Sequence, residues 1–452
     1  MMAVAASAQG GISPQMLNKI EQSQQPVNKA LFNALASNSI DDLAKNYGAQ
    51  NAINKFFSVE TPSQSIHNQK SSGRCWMFSG FNVLRANFAK AHNDSLKVEF
   101  SHVYLFFYDQ LEKANMMLQG CIETANLPFE DAKVQYLFKN PINDGGTFCG
   151  VADLADKYGL VPMCVMPETY SAENTKVMAR LVKSKLREFG LELRKMCQSR
   201  SIKAPGEIEG RKTEMLGTIY NMLSLTLGKP VKEFTYTHVD KKGKPVGQPK
   251  KYTPIEFYKE TVGGPINGSF IMVMNDPRHP YHQTFEVDMD RHVHDGHNWK
   301  YLNLPMDEIA QLAIASLKDG HKLYSSYDVK FFDRKTGICD VNLFDYESLM
   351  GTTFGMDKTQ RIMTFDSGSA HAMTLTAVDL DAKGNPVKWK VENSWSETSG
   401  EKGHALMTNE WFNEYMFRLV VDKKYVSAKL LKEFEQKPTM LTTDDPLFLP
   451  DE

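Results

Sequence analysis

The sequence is poor in cysteine and lacks the cysteine pairs that organise small disulfide-rich or metal-binding folds. Its 452 residues hold six cysteines, at positions 75, 121, 149, 164, 197 and 339, and no two of them are spaced as C-x-x-C. This sparse distribution excludes a disulfide scaffold, a zinc ribbon and a thioredoxin-type redox motif. Free thiols in a reducing compartment are therefore expected.

Long apolar runs and an excess of charge of either sign are also absent. No stretch approaches the ~18 to 20 apolar residues that a membrane span requires. The 52 basic and 54 acidic residues leave a net charge of −2, which argues against a chain built globally around polyanion binding. Phosphate-loop and HExxH signatures are missing, so neither a nucleotide cofactor nor a metal is expected.

The overall composition is that of a folded globular chain. Hydrophobic residues make up 42% and charged residues 23% of the sequence, and the length predicts about three structural units at ~150 residues each. Ala6-Ser7-Ala8 is similar to the end of a secretory signal, but the basic region and the full apolar stretch of such a signal are missing. We expect a cytoplasmic protein, with export to the periplasm as the alternative if these residues are the remnant of a cleavage site.

The hydrophobic pattern changes along the chain from helical to extended. Residues 174–197 carry apolar side chains at three- and four-residue steps, which predicts an amphipathic helix. Residues 373–378 are β-rich, Lys383-Gly384-Asn385-Pro386 predicts a turn, and a second strand begins at Trp389. Helices early and strands late predict an α+β protein with two lobes and a groove between them.

One cysteine, Cys75, lies in a sequence pattern that suits a nucleophile. A polar, glycine-containing loop over residues 68–74 runs into an apolar-periodic stretch that includes Met77, Phe81 and Leu84. This pattern predicts a helix that begins near Cys75, and the unpaired N–H groups and partial positive charge of a helix N-terminus favour a thiolate. The alternative is a buried, inert cysteine, against which the polar loop argues.

A cysteine nucleophile in acyl transfer needs a general base, a group that orients the base, and donors for the oxyanion. His371 begins the first late strand and Asn393 ends the second, so a hairpin would bring the two side by side. The Asn393 side-chain carbonyl can then accept from the His371 imidazole and hold the ring toward Cys75. Gln69, six residues before Cys75, can offer its side-chain NH₂ beside the Cys75 backbone N–H as two oxyanion donors.

Four separated segments carry a family resemblance in their order along the chain. They are Asn68-Gln69-Lys70-Ser71-Ser72-Gly73-Arg74-Cys75-Trp76, Asn143-Asp144-Gly145-Gly146, Tyr158-Gly159-Leu160-Val161-Pro162 and Val391-Glu392-Asn393-Ser394-Trp395. Together with the isolated His371, they resemble the active-site segments of papain-like cysteine peptidases. More narrowly, they resemble the bleomycin hydrolase and bacterial aminopeptidase C family, from about residue 12 to the C-terminus.

The resemblance implies a papain-like fold and a cysteine aminopeptidase that needs no cofactor. The implied roles are nucleophile for Cys75, base and acid for His371, orienter for Asn393, and oxyanion donor for Gln69. Trp395 is expected to shield the contact between Asn393 and His371 from solvent. Bleomycin hydrolases form homohexameric barrels, so the expected partners are peptides with a free N-terminus and further copies of the chain.

The sequence departs from the papain signature in two informative ways. Ser72 stands at the position of the upstream cysteine that would join a disulfide, as suits a reducing compartment. Cys75 and His371 are 296 positions apart, against ~130 to 150 in small papain-like enzymes, so about 150 residues are inserted.

The predicted division of the chain has five parts. They are a flexible segment 1–15, a mainly helical lobe 16–170, an inserted helical and basic, His-rich oligomerisation region 171–300, a mainly β lobe 301–435, and a C-terminal arm 436–452.

Three residues are predicted to bind substrate. Gly145 and Gly146 resemble the glycine pair that lines the groove and bonds the substrate backbone in papain-like enzymes, an ordinary turn being the alternative. In this family the C-terminal arm lies in the cleft, and its carboxylate meets the free amino group of the substrate. The tail keeps an Asp445-Pro446 step but ends in bulky and acidic residues. We expect the Glu452 carboxylates to attract an α-ammonium, a disordered tail being the alternative.

Two other clusters contain residue types that bind metals or nucleic acids. Five of the twelve histidines fall between positions 279 and 297 without metal-ligand spacing, which favours a solvated loop over a metal site. The lysines at 241, 242, 244, 250 and 251 favour a solvated hairpin over a nucleic-acid contact. The alternative functions are an endopeptidase, if the arm leaves the cleft open, and a nucleic-acid-binding oligomer with secondary peptidase activity.

Overall fold

The structure is a computed structural model that describes residues 10–24, 26–199, 205–443 and 445–447. Short strands are interspersed among the helices of the first part of the chain. The elements up to residue 199 are α1 (Pro14–Ser23), α2 (Lys29–Ser37), α3 (Ile40–Ala44), α4 (Tyr47–Ala52), β1 (Val59–Glu60), α5 (Cys75–Ala91), β2 (Leu96–Lys97), α6 (His102–Glu123), α7 (Ala132–Lys139), α8 (Phe148–Tyr158), α9 (Tyr170–Glu173) and α10 (Thr175–Gln198).

Most of the strands follow residue 205. The remaining elements are α11 (Pro205–Leu227), β3 (Phe234–Tyr236), β4 (Val239–Asp240), β5 (Lys250–Tyr252), α12 (Pro254–Val262), β6 (Phe270–Met274), β7 (Thr284–Val287), β8 (Lys300–Asn303), α13 (Met306–Lys318), β9 (Leu323–Tyr327), β10 (Phe332–Asp333), β11 (Ile338–Cys339), α14 (Tyr346–Met350), α15 (Lys358–Met363), β12 (His371–Leu380), β13 (Pro386–Glu392), β14 (His404–Thr408), α16 (Asn409–Tyr415), β15 (Met416–Asp422), α17 (Ala428–Phe434) and β16 (Thr439–Leu441). The predicted α+β class is confirmed.

The chain divides into two compact units. The smaller unit comprises residues 10–47 together with 344–354 and contains α1, α2, α3 and α14. Within it, the Asp345 backbone N–H donates to the Ala44 carbonyl at 2.7 Å, and the Tyr346 hydroxyl donates to Asp41 at 2.8 Å. The larger unit holds the described residues 48–343 and 355–447 and contains all the residues predicted to act in catalysis.

The larger unit is organised around one sheet, to which twelve strands of the described residues belong. β12 pairs antiparallel with β13 and with β9, so the hairpin predicted around the Lys383 to Pro386 turn is confirmed. β15 lies between β9 and β6 and is antiparallel to both. The strand order is β10-β11-β14-β13-β12-β9-β15-β6-β8-β7-β16, with β1 paired to β12.

Residues 171–300, predicted as an insertion, supply both helices and strands. They include α10 and α11, and also β6 and β7, which join the main sheet through β15 and β8. The basic segment forms the predicted hairpin, because β3 pairs antiparallel with β5. Two of its lysines form surface ion pairs, Lys250 with Glu260 and Lys251 with Glu233.

The two largest hydrophobic cores among the described residues lie within the larger unit. The first contains residues of α5, α6, α8, α10 and α11, including Trp76, Phe106, Leu118, Leu154, Leu186 and Leu223. The second lies among the sheet, α13 and α16, and includes Val273, Leu312, Met373, Trp389, Trp411 and Leu419. This arrangement places the start of α5 against the sheet, where the catalytic cysteine is expected.

Helix α10 matches the predicted amphipathic helix to within one residue at each end. Val182, Leu186 and Leu193 are buried as its periodicity predicts. Val177 and Leu181 belong to the same pattern but are 58% and 50% exposed. The apolar pattern of this helix is therefore wider than the stripe that the core of the larger unit covers.

None of the helices among the described residues has the length and apolar composition of a membrane span.

Candidate active site

Cys75 is the first residue of α5, as predicted, and the loop before it is fixed by backbone hydrogen bonds. The Gln69 N–H donates to the Ser394 carbonyl at 2.8 Å, and the Gly73 N–H donates to Asp144 Oδ2 at 2.7 Å. The helix itself is joined to β12 by a hydrogen bond from Asn82 Nδ2 to Thr374 Oγ1 at 3.3 Å. The sulfur therefore lies at a helix N-terminus, where the partial positive charge of the helix favours a thiolate.

Arg74, immediately before the cysteine, is completely buried. Its guanidinium donates two hydrogen bonds to Glu168, at 3.2 and 2.8 Å, and lies over the rings of Phe78 and Phe106 at 5.4 and 5.2 Å. Such a bidentate, desolvated ion pair is costly to break, because either partner alone would be a buried, unpaired charge. It holds the backbone of residue 74, and with it the position of Cys75.

His371 and Asn393 meet at the open ends of the β12–β13 hairpin, as the sequence predicts. His371 Nε2 lies 2.8 Å from Asn393 Oδ1, and the same oxygen accepts from the Ser394 N–H at 2.8 Å. The Ala372 N–H donates to Cys75 Sγ at 3.5 Å. With Nε2 engaged by the amide oxygen, Nδ1 is the imidazole nitrogen that can exchange a proton with the sulfur.

The imidazole is shielded from solvent. The Trp395 ring stacks on that of His371, with centroids 4.7 Å apart, and the Arg334 guanidinium lies 4.7 Å from the Trp395 ring centroid. Burial lowers the pKa of His371 to about 4, although the hydrogen bond to Asn393 acts in the opposite direction. The ring is thus neutral beside a thiol, whereas a neighbouring thiolate would favour the imidazolium.

Gln69 is held by both ends of its side chain. Its Oε1 accepts from Ser394 Oγ at 2.5 Å, and its Nε2 donates to the Ser72 carbonyl at 2.5 Å. An amide NH₂ carries two hydrogens, so one donor remains beyond the bond to Ser72. Gln69 and Cys75 line the same cavity, as two oxyanion donors must.

The cavity has a volume of about 300 Å³ and is lined by four predicted residues besides Gln69, namely Cys75, His371, Gly145 and Gly146. A Cβ added to Gly146 would lie 2.1 Å from the His292 ring, so only glycine fits there. At Gly145 the nearest atom to such a Cβ is 3.9 Å away. Packing against His292 therefore requires a glycine at position 146, whereas the surrounding protein leaves room for a Cβ at position 145.

A buried polar network that the sequence did not reveal supports the glycine segment from behind. Lys113 Nζ donates to the Gly145 carbonyl at 2.7 Å and to Asp109 at 3.1 Å. His292 Nδ1 lies 2.5 Å from Asp109, and its Nε2 accepts from the Thr147 N–H at 3.3 Å. Burial alone would raise the pKa of Asp109, but Lys113 and His292 hold it below its ordinary value. We call Asp109, Lys113 and His292 the clamp.

The interpretation of the histidine-rich segment as a solvated loop is wrong for His292. This side chain is 2% exposed and its ring lies 4.5 Å from that of Trp76. The histidine density was the only signal in this segment, and it does not distinguish a buried histidine from a solvated one. Among the described residues, no group of histidine, cysteine and acidic side chains is arranged to hold a metal ion.

The described part of the C-terminal tail reaches the cavity. Leu447 lines it and is 4% exposed, and its carbonyl accepts from Arg418 at 3.4 Å. Asp445 forms an ion pair with Arg278 at 2.8 Å and accepts from the Leu447 N–H at 3.0 Å. Glu452, predicted to meet the substrate amine, lies outside the described residues.

The six cysteines all lie within the described residues and none of them forms a disulfide bond, but three of them are far less suited to nucleophilic attack than Cys75. Burial raises the pKa of Cys121 to about 12, and it also raises the pKa values of Cys149 and Cys339. A raised pKa keeps these thiols protonated and unreactive.

Comparison with known proteins agrees with this geometry. A model of the peptidase C1-like family matches residues 11–448. The chain belongs to this family. It is 39% identical over 398 residues to bleomycin hydrolase from Rattus norvegicus, and this alignment covers 86% of the chain and 87% of that relative. It is 35% identical to aminopeptidase E from Lactobacillus helveticus, over 92% of the chain and 93% of that relative.

A solved structure within the family extends the agreement to the fold. The crystal structure of PepW from Lactobacillus rhamnosis HN001 matches with a TM-score of 0.91 at 35% identity, over 97% of the chain and 99% of that protein. The predicted family, the papain-like α+β fold and the assignment as a cysteine-type aminopeptidase are thereby confirmed.

Proposed function

We propose that the protein is a thiol aminopeptidase that removes N-terminal residues from peptides with a free amino group, with Cys75 as its nucleophile. The observation that carries this proposal is the position of Cys75. It begins a helix, lines a cavity together with His371, and accepts a hydrogen bond from the residue after that histidine. A cysteine in this setting is suited to acyl transfer.

The proposed reaction proceeds through an acyl-enzyme. The Cys75 thiolate attacks the scissile carbonyl, and Gln69 Nε2 with the Cys75 backbone N–H donates to the resulting oxyanion. His371, protonated as the partner of the thiolate, gives its proton to the leaving amine as the carbon–nitrogen bond breaks. A water molecule, deprotonated by His371, then hydrolyses the thioester and regenerates the thiol. Asn393 orients the imidazole through Nε2 during both steps.

The limited size of the cavity supports an exopeptidase rather than an endopeptidase. Its volume of about 300 Å³ is at the lower end of the range for small-ligand sites. Leu447 lines one part of its wall, and Met289 to His292 line another. The backbone at Gly145 and Gly146 is proposed to bind the substrate main chain, and a role for Glu452 in binding the substrate amine stays a prediction.

A homohexamer in the cytoplasm remains part of the proposal. Exposed apolar side chains on α10, at Val177, Leu181 and Leu191, support contact with further copies of the chain. The absence of disulfide bonds among the six cysteines, all of which are described, is consistent with a reducing compartment. Sedimentation equilibrium of the purified chain tests the hexamer.

Labelling combined with a peptidase assay tests the function. The protein is treated with iodoacetamide at a substoichiometric dose, the modified cysteine is located by mass spectrometry, and the release of amino acids from a tripeptide is followed. We expect modification of Cys75 in parallel with loss of activity, and no activity in Cys75→Ala. Cys164→Ser is the matched control, because Cys164 is exposed and lies outside the cavity lining.

The same tripeptide with an acetylated N-terminus separates the alternatives. An aminopeptidase releases nothing from the blocked peptide, whereas comparable cleavage of both peptides would show an endopeptidase. Full activity after complete alkylation of Cys75 would contradict the proposal.

A further inference from the structure

A second cavity in the larger unit adjoins the active-site cavity. Its volume is about 450 Å³, against about 300 Å³ for the active-site cavity, and this volume is typical of small-molecule sites. Residues of α8, β6 and β8, of the loop between β7 and β8, and of the segment after β15 line it. Arg291, in that loop, is the one described residue that lines both cavities. The proposed peptidase reaction makes no use of the second cavity.

One part of the second cavity is apolar. Phe148 and Ile266 are 2% and 3% exposed, and Phe270 packs against Phe148 with ring centroids 5.4 Å apart. Met272 and Phe434 are partly exposed and extend the apolar lining. Binding of an aromatic ring or a hydrocarbon chain against these side chains is favourable, because it removes apolar surface from water on both sides.

Three basic side chains line the same cavity, namely Arg291, Lys300 and Lys423. All three are partly exposed, and none of them forms an ion pair with a carboxylate among the described residues. The Arg291 guanidinium also makes no hydrogen bond there, and only its Nε is enclosed, so its terminal nitrogens remain accessible donors. Cations without paired carboxylates favour a negatively charged ligand.

The ammonium of Lys300 is partly desolvated. Its Nζ donates to the Gln436 carbonyl at 3.1 Å and lies 4.9 Å from the centroid of the Phe434 ring. Burial lowers the pKa of Lys300, although Glu286 and Glu435 act in the opposite direction. An anion in the cavity would compensate for part of the lost hydration and stabilise the charged amine.

The acidic groups around the second cavity are engaged by other donors. Glu286, the one acidic side chain among the described residues that line it, accepts from Asn298 Nδ2 at 2.9 Å. Asp153 accepts from the His297 backbone N–H and lies 2.7 Å from His297 Nδ1. The lining of the cavity therefore carries more positive than negative charge.

The two cations without any carboxylate or carbonyl partner stand on a fixed backbone. The Lys423 N–H donates to the Ser269 carbonyl at 3.0 Å, and the Arg291 N–H donates to the Met289 carbonyl at 2.9 Å. His292, directly after Arg291, is held by the clamp. Groups held in this way lose less conformational freedom when a ligand binds.

We propose that the second cavity binds a carboxylate that carries an aromatic or aliphatic body. Arg291 and Lys423 recognise the carboxylate, and the apolar body lies against Phe270 and Phe434. A guanidinium and an ammonium together supply several N–H donors for the two carboxylate oxygens. A phosphate dianion fits the apolar lining less well, because moving a doubly charged group out of water costs more.

Two sources can supply a ligand of this chemistry. One is a free apolar acid. The other is an apolar amino acid, which has the same carboxylate and body but adds an α-ammonium, and which an aminopeptidase releases as product. The first source is independent of the proposed function, whereas the second rests on it.

Three probes that share one ring test the proposal by isothermal titration calorimetry of the full chain. 3-Phenylpropionate is an apolar carboxylate, 3-phenylpropanamide is its neutral counterpart, and phenylalanine adds an α-ammonium. We expect 3-phenylpropionate to bind with a Kd of about 0.1 to 1 mM, and the amide to bind at least about tenfold more weakly. Phenylalanine binding within about threefold of 3-phenylpropionate would identify a released amino acid as the source, and weaker binding would identify a free acid.

Lys423→Met locates the binding site, and Lys424→Met is the matched control. Lys424 pairs with Asp319 at 3.3 Å and lies outside the lining of the second cavity. We expect Lys423→Met to weaken the binding of 3-phenylpropionate by about 5- to 10-fold, and Lys424→Met to leave it unchanged within about twofold. Neither lysine lines the active-site cavity, so both variants should hydrolyse a tripeptide at the wild-type rate, which confirms that they are folded.

Three results would overturn the proposal. They are binding of the amide as tight as that of the carboxylate, equal weakening in the two lysine variants, and no binding of 3-phenylpropionate at about 10 mM. A cavity closed by another copy of the chain would give the last of these results. Failure of the peptidase function is a separate outcome, because it would show as absent tripeptide hydrolysis by a wild-type protein that still binds 3-phenylpropionate.

Discussion

At the residue scale, the state of the site depends on whether its buried imidazole is neutral. His371 has a pKa lowered by burial to about 4, from 6.5. Between these two values the unfolded chain binds more protons than the folded chain, so stability is fully present above pH 6.5 and is lost as pH falls toward 4. At pH 5 the free energy of unfolding is lower by about 2 kcal/mol than above pH 6.5.

A pair of variants measures this contribution without interference from the thiolate. Cys75→Ala is compared with Cys75→Ala/His371→Gln by urea unfolding at pH 7 and pH 5. When the pH is lowered from 7 to 5, we expect the free energy of unfolding to fall by about 2 kcal/mol more in Cys75→Ala, which keeps His371, than in the double variant. Identical pH dependence of the two proteins would show that His371 is not held neutral by burial.

The two glycines of the cavity should respond differently to the same substitution. Gly146→Ala places a Cβ 2.1 Å from the His292 ring, so we expect a lower Tm and a loss of activity, with a destabilisation of about 1 to 3 kcal/mol. Gly145→Ala meets nothing within 3.9 Å and should preserve Tm while raising KM. Thermal unfolding and steady-state kinetics distinguish these outcomes, and equal Tm values for the two variants would contradict the packing argument.

At the element scale, the glycine segment is supported by α6 through the clamp. Lys113→Met removes the cation from between Asp109 and the Gly145 carbonyl, and the buried Asp109 carboxylate then keeps only its hydrogen bonds with His292 and Gln110. We expect a destabilisation of about 3 to 5 kcal/mol and a raised KM. Lys133→Met is the control, since it breaks the exposed pair with Asp288 and should cost no more than about 1 kcal/mol.

Unfolding by urea gives the two free energies. Similar values for Lys113→Met and Lys133→Met would show that the clamp does not stabilise the segment.

The elements that follow from local sequence were predictable, and the contacts between distant segments were not. Helix α10 was predicted over 174–197 and spans Thr175–Gln198, because amphipathic periodicity is a local property. The hairpin that joins His371 to Asn393 followed from a turn between two β-rich runs. A polar loop that runs into an apolar-periodic stretch indicated Cys75, and Gln69 followed from its position six residues earlier. The two glycines were indicated by their resemblance to a family motif.

Nothing comparable marked the clamp. Asp109 and His292 are 183 positions apart, and neither residue lies in a motif or in a spacing that indicates a partner. Their contact depends on how the segment between β7 and β8 packs against α6. Burial, which makes both groups significant, is a tertiary property that an isolated aspartate or histidine does not reveal.

At the scale of the whole molecule, we expect the described part of the C-terminal tail to limit access to the cavity, because Leu447 lines its wall. Asp445→Ala removes the ion pair with Arg278, while Arg278 keeps its second partner, Asp276. The tail at Leu447 should then leave the cavity more readily. We expect cleavage of an N-acetylated tripeptide to rise about tenfold relative to the free tripeptide, since a buried charge-assisted hydrogen bond contributes about 1.5 to 3 kcal/mol.

Liquid chromatography of the cleavage products measures this ratio. Asp445→Asn, which keeps an oxygen for the Leu447 N–H, should show a smaller rise. An unchanged ratio in both variants would exclude the tail at Leu447 as a barrier.

The position of β15 in the sheet also determines when the enzyme can become active during its synthesis. This strand, Met416–Asp422, lies between β9 and β6, and it also carries Arg418 to the cavity wall. A nascent chain on the ribosome cannot join the two parts of the sheet until residue 422 has left the exit tunnel. Newly made enzyme should therefore stay inactive until translation is nearly complete.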